Sequence, residues 1–362
     1  MKNSNKKILI ATGGTGGHVF PAYGLLRNLK KRGYKVDIIT DKRGFKFLKE
    51  YTDINLKIIN SATIFKKNPI NIIVSFFQIV LAFLNSLNYL YKSNISLVFG
   101  MGGYSSFPVC IAAKFLKIPF IIYENNMIVG KTNRYLLPYA KKMFVSSLEL
   151  ENSTNKYNFK IEEIGNIIRE DILKFKKNNS IMKNTLNILV LGGSQAASIF
   201  AKKLPDIFKK CKEGNIKVKI FQQCLSDQQP KLEKFYKSLN IDHEIFNFSY
   251  NLLNYFYKSD LVITRSGASM LGELLNCKLP IISIPLPTSA ENHQLKNAKY
   301  YEKKGYGFLI EEEEIEEKLF SLINLIHEDK DLIAQMKLKQ EMYSDKDVYE
   351  KIYGKIKLII NE

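Results

Sequence analysis

Short apolar runs alternate with longer stretches in which apolar residues recur every three or four positions, through most of the 362 residues. The runs Ile8–Ala11, Val36–Thr40, Leu97–Phe99, Phe120–Tyr123 and Met143–Val145 predict strands, and Pro21–Lys31 predicts a helix closed by Gly33. After Gly165 the chain turns polar and lysine-rich through Lys174–Asn184, which marks a domain boundary. The pattern then resumes, with strands predicted at Asn187–Leu191, Val218–Phe221, Leu261–Thr264, Ile281–Ile284 and Phe308–Ile310. Strands separated by helical patterns make a parallel sheet with crossover helices, so the fold class is α/β.

The halves open alike: Ile8-Leu9-Ile10-Ala11-Thr12-Gly13-Gly14 in one, Ile188-Leu189-Val190-Leu191-Gly192-Gly193-Ser194 in the other. Each is a strand running into glycines and then a helix. Two Rossmann-like domains facing each other across a cleft, with ligands at the carboxyl ends of the strands, are therefore expected. The first takes residues 1–165, the second 166–344, and a helix at about 345–362 is expected to pack back on the first. The length agrees, because one core rarely serves so long a chain.

Pro69–Tyr91 contains no charged residue and is long enough to suggest a membrane span. Asn71, Ser75, Gln78, Asn85 and Ser86 recur at helical spacing, however, and predict a crossover helix with one wet polar stripe. Its remaining apolar arc is wider than one core contact requires. Flanked by Lys66, Lys67 and Lys92, that arc suits an anionic bilayer surface.

Lys and Arg number 54 against 35 Asp and Glu, a formal charge of +19 that asks for an anionic partner. Lysine is scattered over helical faces, and no aromatic-basic or helix-turn-helix motif points to specific nucleic-acid recognition. The four cysteines, Cys110, Cys211, Cys224 and Cys277, form no Cys-x-x-Cys pair, so reduced thiols are expected. The lysines before Ile8 mimic a signal peptide, but the glycines after Thr12 cut the apolar run short.

Candidate chemistry gathers at the strand ends. Gly13-Gly14-Thr15-Gly16-Gly17-His18 lets backbone N–H groups and a helix N-terminus approach an anion. Val19 stands where the dinucleotide fingerprint needs its third glycine, which argues against nicotinamide binding with Asp41 as the ribose acid. His18, at the lip of this turn, is a candidate base whose neutral form a helix N-terminus favours. Gly192-Gly193-Ser194-Gln195 repeats the arrangement with a hydroxyl for phosphate. Arg265-Ser266-Gly267-Ala268 leads into a helix carrying Glu273, whose carboxylate can accept both ribose hydroxyls.

Seven motifs in order carry a specific resemblance: Gly13–Pro21, Gly100–Tyr104, Glu124–Asn126 with Gly130 and Thr132-Asn133, Gly165-Asn166 with Arg169, Gly192–Gln195, Arg265–Ala268 with Glu273, and Asn292-His293-Gln294. Together they resemble the MurG family of peptidoglycan N-acetylglucosaminyltransferases, of two-domain GT-B fold, over nearly the whole chain.

The resemblance implies inverting, metal-independent transfer of N-acetylglucosamine from UDP-N-acetylglucosamine to the C4 hydroxyl of undecaprenyl-pyrophosphoryl-MurNAc-peptide, without a cofactor. It implies a peripheral enzyme on the cytoplasmic face of the bacterial inner membrane. The donor would lie against the second domain: Arg169 and Ser194 on the diphosphate, the Ser249 backbone by the uracil, and Ala268, Ser269, Met270, Leu271, Gly272 and Glu273 around the ribose. His293 and Gln294 would meet the sugar. Thr15, Gly16, Gly17, His18 and Asn126 would close from the first domain, with Gly102, Gly103, Tyr104 and Asn133 on the acceptor side. His18 is the first choice for base and Glu124 the reserve. Tyr123, Asn125, Met127 and Ile167 depart from the family pattern of His, Gln, Gly and Pro at those positions. The rival readings are another lipid glycosyltransferase of this fold, a UDP-N-acetylglucosamine epimerase and a basic nucleic-acid-binding protein.

Overall fold

The computed structural model describes residues 6–60, 69–152, 155–176, 185–193, 198–247, 249 and 251–361. The chain divides into two compact units, Met1–Glu170 with Asp345–Glu362, and Asp171–Ser344.

The first unit is built on strands β1 (Lys7–Ala11), β2 (Lys35–Thr40), β3 (Asn55–Ile58), β4 (Leu97–Gly100), β5 (Phe120–Glu124), β6 (Lys142–Val145) and β7 (Ile161–Glu163). They lie in the order β3-β2-β1-β4-β5-β6-β7, all parallel. In β1, Ile8 pairs with Val36 on one side and Leu97 on the other, so β1 and β4 flank the point where the winding reverses. The second unit repeats the plan with β8 (Leu186–Leu191), β9 (Val218–Gln223), β10 (Asp242–Phe246), β11 (Leu261–Thr264), β12 (Ile281–Ser283) and β13 (Phe308–Leu309), in the order β10-β9-β8-β11-β12-β13. Its reversal lies between β8 and β11. Parallel strands need crossover connections, and crossover helices cover sheet faces, which is why central strands such as β5 are buried at every position.

In the first unit, helices α1 (Gly16–Lys31), α2 (Lys42–Leu48), α3 (Pro69–Ser93), α4 (Ser106–Phe115) and α5 (Lys131–Leu136) follow β1 to β5 in turn. α1 starts a turn earlier than the apolar pattern predicts, at Gly16, with Pro21 inside it. The glycine turn and the helix start therefore share Gly16 and Gly17.

α3 corrects the polar-stripe expectation in part: Gln78 and Asn85 are exposed as expected and the side chain of Asn71 lies outside the described residues, but the two serines face inward. Ser75 and Ser86 are fully buried with Ala82 and Leu90, whereas Phe77 and Leu81 are 60% and 59% exposed. Small residues at helical spacing let α3 pack closely on α4, which offers buried Val109, Cys110, Ala112 and Ala113. The Ser86 hydroxyl bonds its own helix, donating to Ala82 O at 2.6 Å, and so can face inward without water. The small residues face inward together with Phe83, Leu87 and Leu90, while Phe76, Phe77, Leu81 and Leu84 point out.

Asn166–Arg169, assigned to the second domain by the sequence pattern, belong with the first unit. The Asn166 backbone N–H donates to Asp345 Oδ1 (2.9 Å) and its side-chain amide to Oδ2 (3.2 Å). Tyr349 Oη donates to Ile168 O at 2.6 Å. Tyr123 and Ile167, two departures from the family pattern, meet: Ile167 N–H donates to the Tyr123 hydroxyl (3.0 Å), which donates to Gly165 O (3.3 Å). A proline at 167 would have no N–H to offer. The helix Val348–Asn361 buries Val348, Tyr349, Ile352, Ile356 and Ile359 in the first unit. All four cysteines are buried and free.

Candidate functional site

At the β1/β4 reversal, the glycine turn is held by an acid. Asp41 follows β2 and caps α2: Oδ1 accepts from Gly44 N–H (2.8 Å) and also from Gly14 N–H (3.0 Å). Its Oδ2 accepts from Arg43 Nε and Nη2, at 3.1 and 3.0 Å. Burial by itself raises this carboxyl's pKa. The Gly44 and Gly14 N–H donors, with Arg43, outweigh burial and hold it below its ordinary value. Gly14 sits at φ +82°, the left-handed region glycine enters freely, and a side chain on Gly13 would collide with Ser105 Oγ. Asp41 is thus spent on bracing the turn.

The His18 ring lies over the second glycine pair. A Cβ on Gly102 would stand 3.4 Å from His18 Cε1 and 3.5 Å from the Tyr123 carbonyl, and one on Gly103 3.6 Å from His18 Cδ2. Gly102 and Gly103 have φ of +83° and +74° and leave room for the half-buried ring. Thr12 Oγ1 donates to His18 O at 3.0 Å and fixes its backbone.

Next to this, Glu124 ends β5 with its carboxylate inside the following loop. Oε1 accepts from Asn126 N–H (3.1 Å) and Asn126 Nδ2 (2.9 Å), and Oε2 from Gly130 N–H (3.0 Å) and Asn133 Nδ2 (3.0 Å). Asn133 Nδ2 also donates to Tyr123 O at 2.9 Å, while its buried Oδ1 has no partner. Four donors on one carboxylate make Glu124 the clasp of the loop 125–133. Thr15, Gly16, Gly17, His18, Gly102 and Gly103 thus form one group, joined through Tyr123 to Glu124, Asn126 and Asn133.

At the β8/β11 reversal, Ser194 lies outside the described residues. The helix Ala268–Asn276 starts at Gly267 and carries Ala268, Ser269, Met270, Leu271, Gly272 and Glu273, with Glu273 half-buried on its second turn. Asn297, in the helix His293–Lys303, donates to Ser266 O at 3.0 Å and ties the two helices. Glu291 and Asn292 adopt φ of +52° and +55°, consecutive left-handed residues immediately before His293 and Gln294. Gln294 Oε1 accepts from Leu286 N–H (2.9 Å), which leaves its amide nitrogen as the donor end. His293 Nδ1 lies 2.8 Å from Ala290 O. Ser249 Oγ accepts from Asn251 N–H at 3.1 Å, a local turn contact. Arg169 belongs to the first unit, its backbone beside Gly24 of α1.

Sequence reasoning missed two braces, Asp41 and Arg265. Asp41 three residues before Gly44 has helix-cap spacing, which was a readable signal. Arg265 is buried, donating from Nη1 to Ile284 O (3.3 Å) and Pro285 O (3.1 Å) and from Nη2 to Glu312. Nothing local in the sequence announces those partners.

Two doubly wound parallel sheets, each with glycines at its reversal point, make this a GT-B fold of nucleotide-sugar enzymes. Residues 8–145 match the glycosyltransferase family 28 N-terminal domain and residues 187–352 its C-terminal domain. The chain belongs to glycosyltransferase family 28. It is 36% identical over 360 residues, 99% of each chain, to the UDP-N-acetylglucosamine–N-acetylmuramyl-(pentapeptide) pyrophosphoryl-undecaprenol N-acetylglucosamine transferase of Pelagibacter ubique. The Rickettsia felis protein of that name is 36% identical over 333 residues, covering 88% of this chain and 91% of its own. Among solved structures, MurG of Acinetobacter baumannii matches with a TM-score of 0.78 at 23% identity, over 99% of this chain and 100% of its own. Staphylococcus aureus MnaA, solved with UDP, matches at 0.72 and 15% identity over 98% and 97%, which is likeness of fold.

Proposed function

We propose that this glycosyltransferase moves N-acetylglucosamine from UDP-N-acetylglucosamine to the C4 hydroxyl of undecaprenyl-pyrophosphoryl-MurNAc-peptide, the step in peptidoglycan synthesis that its relatives are named for. The observation that carries this reading is the end-to-end similarity to those relatives.

The C4 oxygen attacks C1 of the donor sugar, the bond from C1 to the UDP oxygen breaks, and the configuration at C1 inverts. His18 takes the hydroxyl proton; its place over Gly102 and Gly103, beside the glycine turn, supports this. Glu124 is less suited, since both its oxygens already hold the 125–133 loop. Negative charge grows on the leaving diphosphate, where Arg169, Ser194 and the N–H groups of the Gly192-Gly193 turn would stabilise it. Glu273 accepts the ribose hydroxyls, Gln294 donates its amide to a sugar oxygen with His293 beside it, and Ala268–Gly272 and Ser249 border the nucleoside. Asn126 and Tyr104 serve the acceptor, whereas Asn133, buried with its amide on Tyr123 O and Glu124, holds the loop behind them.

The enzyme works as a peripheral protein on the cytoplasmic side of the cell membrane. Support comes from the outward apolar face of α3, where Ile73, Val74, Phe76, Phe77, Leu81 and Leu84 are exposed. Lys92 flanks that face, whereas Lys66 and Lys67 lie outside the described residues. Apolar insertion and lysine attraction together suit an anionic bilayer.

UDP release measured with and without lipid-linked muramyl-peptide tests the reaction. Release that requires the acceptor is expected; turnover of UDP-N-acetylglucosamine alone would instead mark an epimerase. Replacing Phe76, Phe77 and Leu81 by Ser should weaken co-sedimentation with anionic vesicles and lower activity on a long-chain acceptor. Activity on a soluble short-chain acceptor should survive; undiminished co-sedimentation would refute membrane docking through α3, and equal loss on both acceptors would mean that the fold or the active site was damaged.

A further inference from the structure

An arginine following a strand in a nucleotide-binding half invites assignment to the phosphates. The surroundings of Arg265 give it other work. It is 8% exposed, and its Nη1 is shared between the carbonyls of Ile284 and Pro285, where the chain leaves β12. Its Nη2 meets Glu312, beyond β13, and Cζ lies 4.9 Å from the centre of the Phe200 ring, in the helix Ser198–Glu213 that follows β8. One guanidinium therefore joins the segments leaving β8, β11, β12 and β13. A planar fork with charge-assisted donors suits such bracing, because it holds several acceptors at fixed angles.

The brace leads to a candidate site residue. Arg265 holds the carbonyl of Pro285, and the next N–H, that of Leu286, donates to Gln294 Oε1 at 2.9 Å. That bond sets which end of the Gln294 amide is the donor. The Glu291-Asn292 pair in left-handed backbone stores strain in the same loop, and such strain persists only where the surroundings over-determine it.

We propose that Arg265, through Pro285 and Leu286, is the positioning residue that presents the Gln294 amide to the transferred sugar, so that it governs recognition of the sugar rather than of the diphosphate. This rests on the proposed sugar contact of Gln294. Replacing Arg265 by Lys keeps the charge but loses the fork that spans Pro285 and Glu312.

Titration of UDP and UDP-N-acetylglucosamine into the whole enzyme, with steady-state kinetics, tests it. Arg265→Lys should weaken UDP-N-acetylglucosamine binding about tenfold and UDP binding less than about threefold, acting on KM more than on kcat. In a Gln294→Ala background the same change should cost less than about twofold, since its route to the sugar is already gone. Glu312→Gln should shift the two ligands in the same direction by a smaller factor, and serves if Arg265→Lys does not fold. Equal loss of both ligands would make Arg265 a diphosphate residue and overturn the proposal. Effects that multiply in the double variant would overturn it too, while leaving Gln294 as a sugar contact. Gln294→Ala with unchanged discrimination between the two ligands would remove that contact and the proposal together.

Discussion

The two units share a winding but brace their reversal points with opposite charges. In the first, carboxylates collect N–H groups: Asp41 holds Gly14 and Gly44, and Glu124 holds Asn126, Gly130 and Asn133. In the second, a guanidinium collects carbonyls, with Arg265 on Ile284 and Pro285. The difference follows from what each brace must fix. A turn whose N–H groups would otherwise be orphaned needs an acceptor; a set of strand ends presenting carbonyls needs a donor. Ionised groups serve both ends because bonds to a charge are stronger and geometrically stricter than neutral ones.

The sharpest way to break this comparison is Glu124→Ala. It leaves the donors of Asn126, Gly130 and Asn133 without their acceptor, and should cost about 3 kcal/mol in urea unfolding. Full stability with lost turnover would restore Glu124 as a base and remove its bracing role. His18→Ala should lower turnover roughly a hundredfold while sparing UDP affinity, because a lost general base acts on the transition state. Turnover kept while donor affinity falls would move His18 to the phosphate side.

In the second unit, Glu273→Ala should weaken UDP binding by about 2 kcal/mol, and 2′,3′-dideoxy-UDP should lose little further in that variant. Unchanged UDP affinity would empty the second unit of its nucleotide role. The smallest effect is expected of Asp41→Asn, whose carbonyl can still accept from Gly14 and Gly44 but loses the charge facing Arg43. Because the Asp41 carboxyl is held below its ordinary value, its contribution is present above the unfolded pKa and is lost as pH falls through the folded one. Wild type should therefore exceed the variant by under about 1 kcal/mol near neutral pH, and the gap should close below about pH 4. A gap that widened in acid would contradict the bonding described for Asp41.

Legibility in the sequence tracked burial. Central strands such as Ile8–Ala11 and Leu261–Thr264 announce themselves because both faces are covered. β3, β7 and β10 gave no apolar run, with sequences NLKI, IEE and DHEIF, and all three are sheet edges. An edge strand is held by one neighbour and half-wetted, so its composition is free to look like a loop. The glycine turns and His18 were readable, since only glycine tolerates those backbones. The bracing partners of the second unit were not, because Arg265 and Glu312 meet only after the chain has wound through β12 and β13. α3 misled for a physical reason: serine reads as wet, yet in a helix it can satisfy its hydroxyl on its own backbone, as Ser86 does.

The helix Val348–Asn361 completes the first unit although the whole second unit precedes it in the chain. During synthesis the surface of α1 that receives Tyr353 and Glu350 is made early and waits uncovered while residues 171–344 are translated. At ordinary elongation rates that wait is roughly ten to thirty seconds. The Asn166 amides likewise wait for Asp345, so the first unit to be made is the last to be finished. A chain released after residue 344 would carry the whole second unit while the first still lacks its closing helix, leaving a tract of unburied apolar side chains for a chaperone or a protease to find.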